Sequence, residues 1–168
     1  MAKAQDKTGK TNAMRVLDAH HVAYEAFQYD STIHSATEVA AVLGVPPNQV
    51  FKTLVVLPES GQGRPLLVLL PGNRELDLKV LGQQPAVGEK RLRMASQREA
   101  ESLTGLLVGG ISPLALLQKG FRIFIDRSAL DWAQIYLSAG QRGINLKVAT
   151  AALLSVIGAT PVQTEREG

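Results

Sequence analysis

The chain contains no cysteine. That excludes a disulfide framework, a thiolate zinc site and a cysteine nucleophile, and it suits a reducing compartment. Long apolar runs are missing too. The longest, Leu66 to Pro71, is bounded by Pro65 and Gly72, well short of the roughly 20 residues a helix needs to cross a bilayer. Met1 to Lys10 is polar, with Lys3, Lys7 and Lys10, and has no apolar stretch of the kind a signal peptide requires. The expectation is a soluble, cytoplasmic protein with no membrane partner. Histidine is confined to His20, His21 and His34, whose spacing offers no helical ligand pair, so neither a metal nor another cofactor is expected. No serine has the flanking residues of a nucleophile elbow.

What is present is enough for one core. The chain has 168 residues, 45% of them hydrophobic, and compact domains most often run to ~100–150 residues. The organisation expected is a flexible basic tail over 1–10, a single domain over 11–163 and a polar tail over 164–168. Lysine and arginine number 18 against 15 acidic residues, a net charge of +3. Such an excess favours a polyanionic partner if it is clustered. Several of the bases lie in the first ten residues or at Lys90, Arg91 and Arg93, where a solvated surface explains them equally well.

Periodicity supplies the elements. The apolar spacing of Asn12 to Ala19 predicts a short amphipathic helix, and Tyr24 to Gln28 a strand. Ser35 and Glu38 form a capping-box pair for a helix that should end at Gly44. Val45-Pro46-Pro47 predicts an extended connection, because proline restricts the residue before it and donates no hydrogen bond. Val50 to Leu57 is apolar on both parities apart from Lys52 and Thr53, the pattern of a strand covered on both faces. Glu59 to Arg64 reads as a hairpin loop leading back through Pro65 to Leu70, so these two strands should be antiparallel. Short helices are expected over Leu76 to Leu81 and, with Ser96 and Glu99 as a second capping box, over Ser96 to Leu103. Further strands are predicted at Leu106 to Val108, Phe121 to Ile125, Ile135 to Leu137 and Ile144 to Val148, and a closing helix over Ala149 to Ile157.

Three places invite chemistry. Lys52 stands on a strand face with Val50, Leu54 and Val56, where an ammonium costs several kcal/mol unless it meets an anion or reaches water. Either it lines a cleft that takes phosphate or carboxylate, or its stem snorkels to the surface. Val108-Gly109-Gly110-Ile111-Ser112-Pro113 places two glycines at an expected strand end, which is either a tight turn or a cradle whose backbone amides hold an oxyanion. Ser138 to Gly143 is a small-residue loop between two strands: a hairpin, or with Arg142 a phosphate contact.

Taken in order, Thr11 to Leu17, Val50 to Leu54, Glu75 to Lys79, Leu103-Thr104-Gly105, Gly109 to Pro113, Ile125-Asp126 and Ser138 to Gly143 match the motif series of one family. The chain resembles the YbaK/EbsC-type deacylases, free-standing relatives of the editing domain inserted in bacterial prolyl-tRNA synthetases, over roughly Thr11 to Val162. The resemblance implies a mixed α/β (α+β) fold with a largely antiparallel sheet curled towards a barrel and flanked by helices. It implies hydrolysis of the ester of mischarged aminoacyl-tRNA, with Cys-tRNA(Pro) as the type substrate and prolyl-tRNA synthetase as an associated partner.

Such a hydrolase meets a physical need, since a synthetase pocket separates small side chains by only ~1–3 kcal/mol per methylene. By the same resemblance Lys52, Gly109 and Gly110 are the catalytic positions, Lys52 for the phosphate or ribose end of the terminal adenosine and the glycines beside the scissile carbonyl. Tyr29, Thr53, Ser112, Ser138, Arg142 and Asn145 are the substrate-binding positions. Asn145 stands where some relatives have an acid, and Leu114 to Lys119 replaces a segment with glycine and consecutive lysines in many of them. Two alternatives therefore stay open: a non-hydrolytic aminoacyl-tRNA or nucleotide-binding module of the same fold, and an esterase for another small acyl ester.

Overall fold

The computed structural model of the chain describes residues 3–4 and 9–166, the first two by their backbone alone. Of the first ten residues, Met1, Ala2 and Gln5 to Thr8 lie outside the described part. Lys3–Ala4 forms a two-residue strand, β1. Then follow α1 (Asn12–Ala19), β2 (Tyr24–Gln28), α2 (Ala36–Leu43), β3 (Phe51–Pro58), β4 (Leu66–Pro71), α3 (Leu78–Gly82), β5 (Leu92–Met94) and α4 (Gln97–Thr104). The chain closes with β6 (Arg122–Asp126), β7 (Gln134–Ser138), β8 (Ile144–Ala149), α5 (Thr150–Ile157) and β9 (Thr160–Val162).

The fold is mixed α/β, but its strands make two sheets rather than one curled towards closure. One sheet has the order β1-β2-β8-β7 and the other β5-β3-β4-β6-β9. The first is antiparallel throughout. The second is antiparallel at β3–β4 and β3–β5 and parallel at β4–β6 and β6–β9. Among the described residues a single parallel bridge, Val50 to Tyr136, links them. The core between them is aliphatic: Leu67, Leu69 and Ile125 from one sheet and Leu137, Leu146 and Val148 from the other are fully buried. The opposite face of the second sheet packs Val56, Leu66 and Val68 against Leu81 and Val87. β4 is buried on both faces, which explains its unbroken apolar sequence.

Helix ends follow the expected capping chemistry. The Ser96 side chain accepts from the Glu99 amide and the Glu99 carboxylate accepts from the Ser96 amide. At α2, the Ser35 hydroxyl accepts from the Glu38 amide but donates to the Glu38 carboxylate, so only half of the box forms. Gly44, Gly105 and Gly158 terminate their helices in the left-handed conformation.

Four local expectations are corrected. Leu106 to Val108 is not a strand: it runs through a turn with Leu107 57% exposed, so no sheet buries this apolar run. Pro46 is extended as expected, but Pro47–Gln49 then coils into a 3-10 turn. The strands β5 and β9, three residues each, are too short for the sequence pattern to predict. The polar tail expected over 164–168 begins instead with a buried residue: Thr164 is 0% exposed and donates its hydroxyl to Asp126 at 2.5 Å. No helix among the described residues is long and apolar enough to cross a membrane.

Candidate active site

β3 has two different neighbours along its outer edge. At its start it meets β7 through the Val50–Tyr136 bridge, and only from Val56 does it pair with β5. Between these points the sheets part, and the gap is a cavity of about 290 Å³. Val50 to Leu54 form one wall. Ser138 at the end of β7 and Asn145 on β8, which pair across that hairpin, form another. Val108, Gly109 and Ile111 close a third side and His34 a fourth.

Lys52 is half-buried in this wall. Its ammonium donates to the Arg74 carbonyl at 2.6 Å and to the Gly72 carbonyl at 3.3 Å. Partial burial pulls its pKa below the ordinary 10.5, and the opposing attraction of Glu75 is the smaller effect. No carboxylate among the described residues lines the cavity, and the Lys52 ammonium is the cationic group in its wall. The ammonium is held by neutral carbonyls rather than by an internal acid, which leaves its charge available to an incoming anion.

The glycines act through close approach. A Cβ on Gly109 would lie 2.6 Å from the His34 Cβ, and its φ of +90° is one that side chains disfavour. A Cβ on Gly110 would lie 2.8 Å from the Arg142 nitrogen. The two amides differ. Gly110 donates to the Leu107 carbonyl at 2.8 Å and is buried, whereas Gly109 is exposed and its amide has no acceptor among the described residues. Of the pair, Gly109 lines the cavity.

Asn145 is 4% exposed, and its side-chain oxygen has no hydrogen-bond partner among the described residues. Its amide donates to the Tyr29 hydroxyl at 3.4 Å, and burial raises the Tyr29 pKa. Ser138 accepts from the Gly140 amide at 3.1 Å.

Of the nine residues singled out from sequence, Lys52, Thr53, Gly109, Ser138 and Asn145 line the cavity. Tyr29 reaches it through Asn145 and itself faces a shallow groove shared with Arg142 and Gly143. Arg142 uses its Nε to hold the Val108 carbonyl at 2.7 Å, stapling the 138–143 loop to the glycine turn. Ser112 is fully buried, its hydroxyl has no partner among the described residues, and it lies outside the cavity. His34 was missed as a lining residue. Its one local signal is the place just before the Ser35 cap, and its approach to Gly109 is tertiary. No group of three or more metal-ligating side chains occurs among the described residues.

Comparison with known proteins gives a consistent picture. A family model described as an aminoacyl-tRNA editing domain matches residues 30–156. Over 158 residues, 93% of each chain, the sequence is 37% identical to a protein of Enterococcus faecalis provisionally named Cys-tRNA(Pro)/Cys-tRNA(Cys) deacylase EbsC. It is 35% identical to part of the proline–tRNA ligase of Streptococcus equi subsp. equi, covering 65% of this chain but 17% of the ligase. Among solved structures, that of a hypothetical protein superposes with a TM-score of 0.83 at 25% identity, covering 93% of this chain and all of the other. A provisionally assigned trans-editing enzyme for prolyl tRNA synthetase has the same fold, with a TM-score of 0.75 at 24% identity over 95% of this chain and all of the other.

Proposed function

Because the chain belongs to the aminoacyl-tRNA editing domain family, we propose that it hydrolyses the ester of mischarged tRNA in trans. The substrate in this reading is Cys-tRNA(Pro) or a tRNA carrying another small amino acid, and the setting is the cytoplasm, alongside prolyl-tRNA synthetase. The observation that carries the reading is the cavity itself: an ammonium without a carboxylate partner stands across a gap from an unengaged glycine amide. Such a site attracts the anionic end of a nucleotide and orients what is attached to it.

In this reading Lys52 holds the ribose–phosphate end of the terminal adenosine and so fixes the ester. The Gly109 amide faces the carbonyl oxygen as it becomes an oxyanion. Asn145, Ser138 and Tyr29 hold the aminoacyl group. Water adds to the ester carbon, the bond to the ribose oxygen breaks, that oxygen takes a proton, and the free amino acid leaves. With no carboxylate in the wall, the attacking water has to be activated by position, by the neighbouring ribose hydroxyl, or by a substrate thiol where one is present.

Release of the amino acid from cysteinyl- and alanyl-tRNA(Pro), followed with and without the protein, tests the reading. Hydrolysis faster than in buffer supports it; no acceleration on any misacylated tRNA overturns it. A second reading, a module that binds aminoacyl-tRNA without cleaving it, is favoured by the carboxylate-free wall and by Asn145 in place of an acid. It predicts salt-sensitive tRNA binding without turnover.

A further inference from the structure

In a strand, the N–H and C=O of successive residues point alternately to the two neighbours. Along β3 that alternation is fixed at both ends. The Val50 carbonyl accepts from Gly72, just past β4, so even-numbered residues face β4. The Val55 carbonyl accepts from Ala95, just past β5, so odd-numbered residues face the other way. Thr53 is odd-numbered. On that side the bridge to β7 involves Val50 and the pairing with β5 starts at Val56, so no register pair includes Thr53. Thr53 lines the cavity, and on this edge its amide and carbonyl have no pairing among the described residues. A rung left open beside a cavity needs water or a ligand to satisfy it.

From this geometry we propose that the Thr53 main chain binds the aminoacyl group as a one-residue β-strand. The proposal rests on the deacylase reading and deepens it. An aminoacyl ester carries its nitrogen and its carbonyl on one α-carbon, as a residue in a strand does. Two residues opposite one another in a hydrogen-bonded antiparallel pair exchange both of their bonds. The substrate's α-ammonium therefore donates to the Thr53 carbonyl, and the Thr53 amide donates to the ester carbonyl oxygen.

Direction supports this assignment. An antiparallel partner runs from the C-terminal towards the N-terminal end of β3. The ester and its ribose thus leave towards the end where the Lys52 ammonium lies against the Gly72 and Arg74 carbonyls. The amino-acid side chain leaves on the face of β3 that carries the side chains of Phe51, Thr53 and Val55, away from that ammonium. Recognition through main-chain atoms makes the free α-ammonium obligatory while leaving side-chain size to the depth of the gap.

The test uses the whole protein and a nonhydrolysable 3′-aminoacylamino-3′-deoxyadenosine, its desamino counterpart and adenosine. Amide exchange at Thr53 is read by nuclear magnetic resonance, and affinity by titration. The aminoacyl analogue should slow exchange of the Thr53 amide, and loss of its α-ammonium should weaken binding by about tenfold or more, the range of a charge-assisted hydrogen bond. Adenosine alone should leave Thr53 exchanging freely. Equal affinity of the desamino analogue, an unprotected Thr53 amide at saturation, or no binding of the aminoacyl analogue at millimolar concentration would each overturn the proposal. Deacylation assays run in parallel separate the two levels. Equal hydrolysis of aminoacyl- and N-acetylaminoacyl-tRNA removes the Thr53 assignment and keeps the deacylase, whereas hydrolysis of neither removes the deacylase.

Discussion

The α-carbon of Gly110 lies so close to the backbone of Arg142 that a Cβ placed on it would be 2.8 Å from the Arg142 nitrogen. Two loops distant in sequence are thereby held in contact, and the Arg142 side chain fastens them by donating to the Val108 carbonyl. Gly110→Ala should push the loops apart at a cost of ~1–3 kcal/mol, the range of overpacking in a tight contact. Deacylation should fall by at least about tenfold, because the neighbouring Gly109 amide shifts from its place. Thermal unfolding together with turnover of misacylated tRNA checks both effects.

Lys52→Ala should reduce kcat/KM by about 100-fold, the scale of losing one preorganised electrostatic contact, while the fold persists because its bonds are to carbonyls of one turn. The pH dependence has a definite sign. Burial lowers the Lys52 pKa, so the ammonium is lost at a lower pH than that of an ordinary lysine. Binding of an aminoacyl-adenosine 5′-phosphate analogue should weaken as pH rises through that lowered value. Stability should move the other way. Between the folded pKa and the unfolded value near 10.5 the unfolded chain binds more protons, so folding gains with pH. Titration with the nonhydrolysable analogue, compared with Lys52→Ala, isolates the binding limb from spontaneous ester hydrolysis.

Glu99 anchors the start of α4. Its carboxylate accepts from both terminal nitrogens of Arg93, each at 2.8 Å, and from the Ser96 amide at 3.0 Å. These bonds, the Arg93 pair foremost, lower its pKa from 4.5 to about 2. A depressed carboxylate stabilises the fold fully above its unfolded pKa and ceases to as pH falls through its folded one. The difference in melting temperature between the parent chain and Glu99→Gln should therefore be constant above pH 4.5 and shrink as pH falls towards about 2. Added salt should reduce it, since the pair is exposed.

Thr164 ties the end of the chain to the sheet. Its hydroxyl donates to Asp126 and its carbonyl accepts from Asp77, the cap of α3. Thr164→Val keeps the shape and leaves one oxygen of the buried Asp126 carboxylate without its donor, which should cost ~1–3 kcal/mol. Chemical denaturation of the variant measures that cost.

Much of the fold was legible because local chemistry and final structure agree. The helix at Asn12, the Ser35 and Ser96 caps, the glycine stops and the doubly buried strand at Leu66 all announce themselves within a few residues. What escaped depends on distant partners. β9 exists because β6 offers it an edge, and β5 because β3 does. Leu106 to Val108 is as apolar as a strand, yet no strand among the described residues pairs with it. The site divides in the same way. Lys52 stood out as a charge in an apolar run, whereas His34 belongs to the site only because Gly109 has no side chain to keep it away. Arg142 could be read from sequence as a basic residue in a loop, but not that its Nε is occupied by the Val108 carbonyl.

The cavity is the place where two sheets part after one shared rung, Val50 with Tyr136. Its walls consequently combine the main chain of two diverging strands with the side chains that line them. Exchanging lining residues such as Ser138 or Asn145 should retune which amino acid fits, and repacking the joint should change the space itself. An engineer seeking a new amino-acid preference has two handles, the side chains that line the gap and the Val50–Tyr136 joint two residues from the lysine.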